Sequence, residues 1–241
     1  MLFRSTLFRQ LVTANRGVVT IQSDEPAVVN HFANPSNYAD VVLDMFNNDR
    51  FYDEFFQGWR DIKILDIGGN IGLFSLYTQD IASDIWTLEP TPSHFEILKN
   101  LTQGYENIHP LNIALHNRDE TIDFYISDDN STMNSTVNQY GKKIAVQART
   151  LATVMDEIGV DTIDFVKCDI EGSEMNALNS ETIAAVKDRV KVWSIEVHAT
   201  DKNLHPEISL NINRNRIMQI LSENGYNVYR HRYDCIYAYR V

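Results

Sequence analysis

From Lys63 onward the chain switches repeatedly between two hydrophobic periods. Short apolar runs alternate with stretches whose apolar residues return every three or four positions, the signatures of strand and helix. "KILDIG" reads as a buried strand and "LFSLYTQDIA" as a helix. "DIWTLEP" is a second strand, "SHFEILKNLTQ", entered after Pro92, a second helix, and "IHPLNIAL" a third strand. Two strand-like runs follow, "TIDFYIS" and "KIAVQART", separated by the polar stretch "DDNSTMNSTVNQYG". "LATVMDEIG" is a short helix ended by Gly159, "DFVKCDIEG" a strand, "EMNALNSETIAAVKD" one helix and "VKVWSIEVH" a strand. The helix "NRNRIMQILSENG" and the runs "YNVYRHR" and "CIYAYRV" close the chain. The last two meet around Tyr233 and Asp234 and read as an antiparallel hairpin. This alternation predicts an α/β fold: a doubly wound, mostly parallel sheet with helices on both faces, carrying a small β insertion.

Residues 1–60 lack the alternation and are read as a segment preceding a domain at 61–241. "NYADVVLDMFNNDRFYDEFF" sets Val42, Met45, Phe46, Tyr52, Phe55 and Phe56 at roughly helical spacing, predicting a helical cap. "MLFRSTLFRQLVTANRG" is basic and mildly amphipathic. It lacks the apolar core of a signal peptide and is read as a short helix packing on the domain.

Composition narrows the function classes. With 241 residues, 44% of them hydrophobic, the chain can build one sizeable core. Its 21 basic and 33 acidic residues give a net charge of −12, which argues against a nucleic-acid partner held through phosphates. Cys168 and Cys235 are too few for a disulfide framework, so a reduced, cytoplasmic setting is the plain reading. No apolar run approaches the ~20 residues of a membrane span. Association into a homo-oligomer is left open.

Sheets of this kind place their ligand beyond the carboxyl ends of the strands. Polar residues gather at those ends. In "KILDIGGNIG" a glycine-rich turn follows a strand and opens a helix, an arrangement that suits a nucleotide. The dinucleotide fingerprint fails, because Asn70 and Leu73 stand where its second and third glycines belong. Asp66, just before Gly68, would repel a pyrophosphate and suit a cationic ligand. The ligand expected is a nucleoside carrying positive charge. Glu89 ends the second strand, 23 residues after Asp66, where a carboxylate can accept from ribose hydroxyls. Asn112 and Ala114, at the third strand's end, are of a kind that borders an adenine.

The densest charged stretch, "KCDIEGSE", puts Asp169, Glu171 and Glu174 within six residues. Glu174 also favours a helix N-terminus. In "SIEVH", Glu196 and His198 are two apart and face one side. Asp169, Glu196 and His198 together suit a divalent metal, and equally a general base. No metal is assigned from the sequence.

Taken in order, "ILDIGGNIGLFSL", "LEPTPSHFEILKNL", "NIAL", "ARTLATVMDEIGVDTIDFVKCDIEGSEMNAL" and "SIEVH" resemble the class I S-adenosylmethionine-dependent methyltransferases, and more closely their FkbM-type family. The resemblance covers about Lys63 to His198. It implies a seven-stranded Rossmann-like sheet and S-adenosylmethionine as cofactor. By it, Asp66, Gly68, Gly69, Asn70 and Gly72 surround the methionine part. Glu89, with Pro90 beside it, holds the ribose, Asn112 and Ala114 lie by the adenine, and Asp169 closes the pocket near the sulfonium. The implied reaction is methyl transfer to a hydroxyl of a sugar or other small natural product. Glu171 or His198 would be the base, and Glu196 would assist. A non-catalytic S-adenosylmethionine-binding protein and a dinucleotide-dependent oxidoreductase are the rival readings.

Overall fold

A computed structural model of the protein describes residues 12–15, 18–21, 55–126 and 141–240. Strands β1 (Val12–Asn15) and β2 (Val18–Ile21) pair antiparallel. A short helix was expected over part of this segment. The β-branched run of Val18, Val19, Thr20 and Ile21 favours extended backbone. Most of the expected helical cap, and the polar loop "DDNSTMNST", lie outside the described residues.

The main domain runs β3 (Ile62–Ile67), α1 (Leu73–Thr78), β4 (Ala82–Leu88), α2 (Pro92–Thr102) and β5 (Ile108–Leu111). An insertion follows, β6 (Ala114–Leu115), β7 (Glu120–Ile126) and β8 (Lys142–Arg149). Next come α3 (Leu151–Glu157), β9 (Ile163–Cys168), α4 (Glu174–Ala177), α5 (Ser180–Val186) and β10 (Val190–Glu196). The described chain ends with α6 (Pro206–Glu223), β11 (Asn227–Arg230) and β12 (Cys235–Tyr239).

Seven strands form one sheet in the order β11-β12-β10-β9-β3-β4-β5. Its strands pair parallel except at β12, which is antiparallel to β10 and β11. From β3 the chain winds outward to β4 and β5, then returns to β9 and β10 on the other side. The direction of winding therefore reverses between β3 and β9, and ligand sites belong at such a reversal. The insertion is a separate sheet in the order β6-β8-β7.

Alternation along the strands feeds two cores. Leu65 and Ile67 of β3 enter one, with Trp86, Leu88, Val166 and Trp193. Ile62 and Ile64 enter the other, with Ile85, Phe165 and Phe56. Phe56 and Phe165 meet edge to face at 4.9 Å between centroids, and both are buried. Truncating either to alanine would cost ~3–5 kcal/mol.

Three boundaries differ from the sequence expectation. The run "IHPLNIAL" is two strands in different sheets. Asn112 turns the chain between them, its side-chain amide donating to the carbonyls of Glu89 (2.8 Å) and Pro90 (3.2 Å). The single helix expected from Glu174 is also two. Asn179 begins α5 as its cap, accepting from the N–H groups of Glu181 and Thr182, while the Thr182 hydroxyl accepts from the Asn179 N–H. Helix α6 starts earlier than its apolar pattern suggested, at Pro206, a residue suited to the first helical position. No helix among the described residues is long and apolar enough to cross a membrane.

Candidate active site

Strand β3 delivers Asp66 and the glycine turn to the point of reversal. Gly68 has φ 80°, and its N–H and that of Gly69 both donate to the Leu88 carbonyl, at 3.0 and 2.9 Å. A Cβ on Gly68 would lie 1.8 Å from the carbonyl oxygen of Asp169. Only glycine lets the turn after β3 lie directly on the chain leaving β9. Asn70 follows at φ 51°, a left-handed conformation that asparagine tolerates, and Gly72 caps α1 at φ 89°.

Asp66 is fully buried. Its Oδ2 accepts from the Ser75 hydroxyl at 2.8 Å, and that hydroxyl lies 2.7 Å from Thr87 Oγ1. Its Oδ1 finds no hydrogen-bond partner among the described residues, and neither does the buried Oδ1 of Asn70. Burial raises the Asp66 pKa, and the charge of Lys167 and the Ser75 hydrogen bond pull it back in part.

Glu89 is 5% exposed at the end of β4. One carboxylate oxygen accepts from the Thr91 N–H at 2.8 Å and the other from the Asn70 N–H at 2.9 Å. Burial pushes its pKa up to about 7 despite these bonds. The Thr91 hydroxyl also bonds this carboxylate and His94 Nδ1 lies 3.8 Å from Oε1, so of about four acceptor sites at least one can remain for a ligand hydroxyl. Through its side chain and the Asn112 amide, Glu89 joins the glycine turn, the start of α2 and the end of β5.

Across the reversal, β9 ends at Cys168 and the Asp169 N–H donates back to Ile67. Glu171 sits at φ 53° on the turn into α4. Glu174, fully buried, ties that turn: its Oε1 accepts from the N–H groups of Ile170 (3.1 Å) and Gly172 (3.2 Å). The same oxygen meets His198 Nδ1 at 3.0 Å. This fixes the imidazole with Nε2 turned toward Glu171 Oε2 (3.5 Å), Asp169 Oδ1 (3.9 Å) and Glu196 Oε1 (3.9 Å).

Burial opposes a charge on His198, but the Glu174 hydrogen bond and the surrounding carboxylates override it and raise its pKa to about 10. Burial, then the charge of Asp169, pushes Glu171 upward; the charge of Asp169, then burial, does the same to Glu196. Lys167 Nζ stands between the two halves of the site, 3.4 Å from Asp169 Oδ2 and 4.0 Å from Asp66 Oδ1.

Asp66, Gly68, Gly69, Asn70, Gly72, Glu89 and Pro90 thus form one bank of the crevice that a sheet of this kind opens at its winding reversal. Asp169, Glu171, Glu196 and His198 form the other. Asn112 braces the first bank through backbone carbonyls. Ala114 stands apart, buried with Phe124, Val146 and Ala148 in the insertion. Three residues of the arrangement were not singled out from sequence: Ser75 orients Asp66, Thr91 anchors Glu89, and Lys167 bridges the banks. Glu174, noted in the charged cluster but read as a helix-start residue, holds His198. A lysine inside the apolar run "DFVKC" was the one available signal for such a role.

An acidic group beside a glycine turn, at the winding reversal of a seven-stranded sheet with one antiparallel strand, is the architecture of the α/β methyltransferase fold. Residues 66–228 match the family model described as "Methyltransferase FkbM domain". The chain belongs to this family, whose cofactor is S-adenosylmethionine. No curated protein sequence matches it significantly. Among solved structures it is similar to methyltransferase FkbM from Methylobacillus flagellatus KT, with a TM-score of 0.51 at 19% identity. That match covers 97% of this chain and 57% of the other, so the chain spans little more than half the length of that relative. It also aligns with magnesium protoporphyrin IX methyltransferase from Synechocystis PCC 6803, solved with bound SAH (TM-score 0.46, 10% identity, 86% of each chain). Aeropyrum pernix fibrillarin, solved with S-adenosyl-L-methionine, aligns at a TM-score of 0.40 and 14% identity over 76% of this chain and 67% of that one.

The residues present fit the cofactor. Asp66 Oδ1 and Asn70 Oδ1 are two buried acceptors without donors at the glycine turn, and an amino group supplies donors. Glu89 offers an anionic acceptor one strand away, where a ribose would follow.

Proposed function

We propose that the protein methylates a hydroxyl oxygen of a sugar or other small molecule. The observation that carries this reading is the contact of Gly68 with the Asp169 carbonyl. It sets the turn that would hold the methyl donor against the strand end that carries Asp169 and Glu171. Glu196 and His198 flank that strand end from β10.

Asp66 and Asn70 bind the amino group, Glu89 the ribose hydroxyls, and Asp169 borders the sulfonium. When bound, S-adenosylmethionine supplies a methyl group on a positively charged sulfur. The acceptor oxygen lies on the other bank, aligned with that methyl. Holding the two reactants close and in line supplies most of the acceleration. Glu171, standing over the cleft on its strained turn, takes the hydroxyl proton. His198, held by Glu174 as an imidazolium, keeps the carboxylates of this bank together and orients Glu171. Glu196 completes the acceptor wall.

The test is transfer of a labelled methyl group to a panel of sugars and small hydroxyl compounds, with Glu171→Gln alongside. The variant should bind S-adenosylhomocysteine as the parent does and turn over ~10²–10⁴-fold more slowly, the range for losing a general base. Equal turnover in Glu171→Gln would remove it from that role. Transfer to nitrogen or carbon acceptors alone would overturn the hydroxyl reading.

A further inference from the structure

We infer that Asp169, Glu196 and His198 form a binding site for one divalent metal ion on the acceptor bank of the cleft. One ligand atom from each of the three lies within 4.8 Å of the others. Metal–ligand bonds of about 2.1 Å put neighbouring ligands ~3.0 Å and opposite ligands ~4.2 Å apart. The observed 3.9 Å separations of His198 Nε2 from Asp169 Oδ1 and from Glu196 Oε1 fall between those limits.

Two further observations separate this group from a chance gathering of acidic side chains. The first is the orientation of the histidine. Its Nδ1 is held at 3.0 Å by Glu174, a carboxylate with no solvent exposure. A carboxylate behind one imidazole nitrogen is the arrangement that aims the other at a metal and raises its donor strength. The second is the state of the oxygens. Asp169 Oδ1, facing the histidine, is sealed from solvent and has no hydrogen-bond partner among the described residues, and the same holds for Glu174 Oε2. Lys167 already meets the other Asp169 oxygen at 3.4 Å, so Oδ1 is the one left without a donor, and a buried oxygen in that state is costly.

The ligand set of two carboxylates and one imidazole suits a first-row divalent ion such as Mn²⁺, with open positions for water or an acceptor oxygen.

The site rests on these side chains and not on the methyl-transfer reading, and the test keeps the two apart. The chelator-treated full chain is titrated with Mn²⁺ in the absence of cofactor and acceptor. Calorimetry reads stoichiometry, and electron paramagnetic resonance reads free Mn²⁺. One ion per chain is expected. Affinity should fall at least tenfold in His198→Ala and in Glu196→Gln. Glu196 has a side chain 42% exposed, so Glu196→Gln guards against a folding defect in the histidine variant. No stoichiometric binding, or unchanged affinity in a folded Glu196→Gln protein, overturns the site. S-adenosylhomocysteine binding, measured separately without metal, bears only on the methyltransferase reading.

Discussion

Glu89→Gln separates the stability of the fold from its function. The carboxylate is nearly sealed from water, and its pKa is raised from 4.5 to about 7, chiefly by burial. Between pH 4.5 and about 7 the folded protein therefore keeps a proton that the unfolded chain has released. The stability this group contributes is full below pH 4.5 and is lost as pH rises through about 7. At about 1.4 kcal/mol per pKa unit, the loss amounts to about 3 kcal/mol. Glutamine is neutral like the protonated acid, but its NH2 replaces one of the two oxygens that accept from the N–H groups of Thr91 and Asn70, a loss of about 1–3 kcal/mol at any pH. The variant should then melt below the parent near pH 4.5, and above pH 7 that gap should close or reverse as the parent alone loses about 3 kcal/mol. For a chain of this size the change in the gap between the two pH values is ~6–12 °C. Ligand binding moves the other way. Losing an anionic acceptor for the ribose hydroxyls costs about 1.5–3 kcal/mol, or roughly tenfold to a hundredfold in affinity. Thermal melts at pH 5 and pH 8, with calorimetry of S-adenosylhomocysteine at pH 8, read both. If the variant is destabilised equally at both pH values, the burial argument fails. If it binds the ligand as tightly as the parent, Glu89 is not at the ribose.

Two other outcomes follow from the glycine turn. Gly68→Ala drives a methyl group into the Asp169 carbonyl and should cost more than about 4 kcal/mol in denaturant melts. Gly104→Ala, where a Cβ meets nothing within 4 Å, should stay within about 0.5 kcal/mol, and equal effects at the two positions would refute the close approach. By calorimetry, S-adenosylmethionine should bind and NAD should not; NAD binding with no S-adenosylmethionine binding would sink the cofactor assignment made from Asp66.

What could be read from the sequence was what depends on local order along the chain. Hydrophobic period located the strands of the large sheet, because each is a short apolar run closed by a polar end. Asp66, Glu89, Asp169 and His198 were picked out the same way, as polar residues at strand ends, and the fold does set them at neighbouring strand ends. What escaped depends on contacts between distant segments. Whether Asn112 continues a strand or turns it out is decided by carbonyls 22 and 23 residues upstream. The break at Asn179 rests on a reciprocal cap that competes with an otherwise continuous helical pattern. Glu174 looks like any acidic residue at a helix start until His198, 24 residues on, is seen against it. Ala114 was placed by position in a run that the fold divides between two sheets. The charge of His198 was equally invisible, since it is set by four carboxylates that only the fold assembles.

Under the proposed function, the tie made by Glu89 and Asn112 has a consequence for how the cofactor binds. Three segments far apart in the chain, the turn after β3, the start of α2 and the end of β5, are fastened together by hydrogen bonds that need no ligand. That bank of the cleft is preorganised. The entropy of fixing its backbone is met when the protein folds and does not recur at each turnover, so contacts made there go into affinity without an ordering cost.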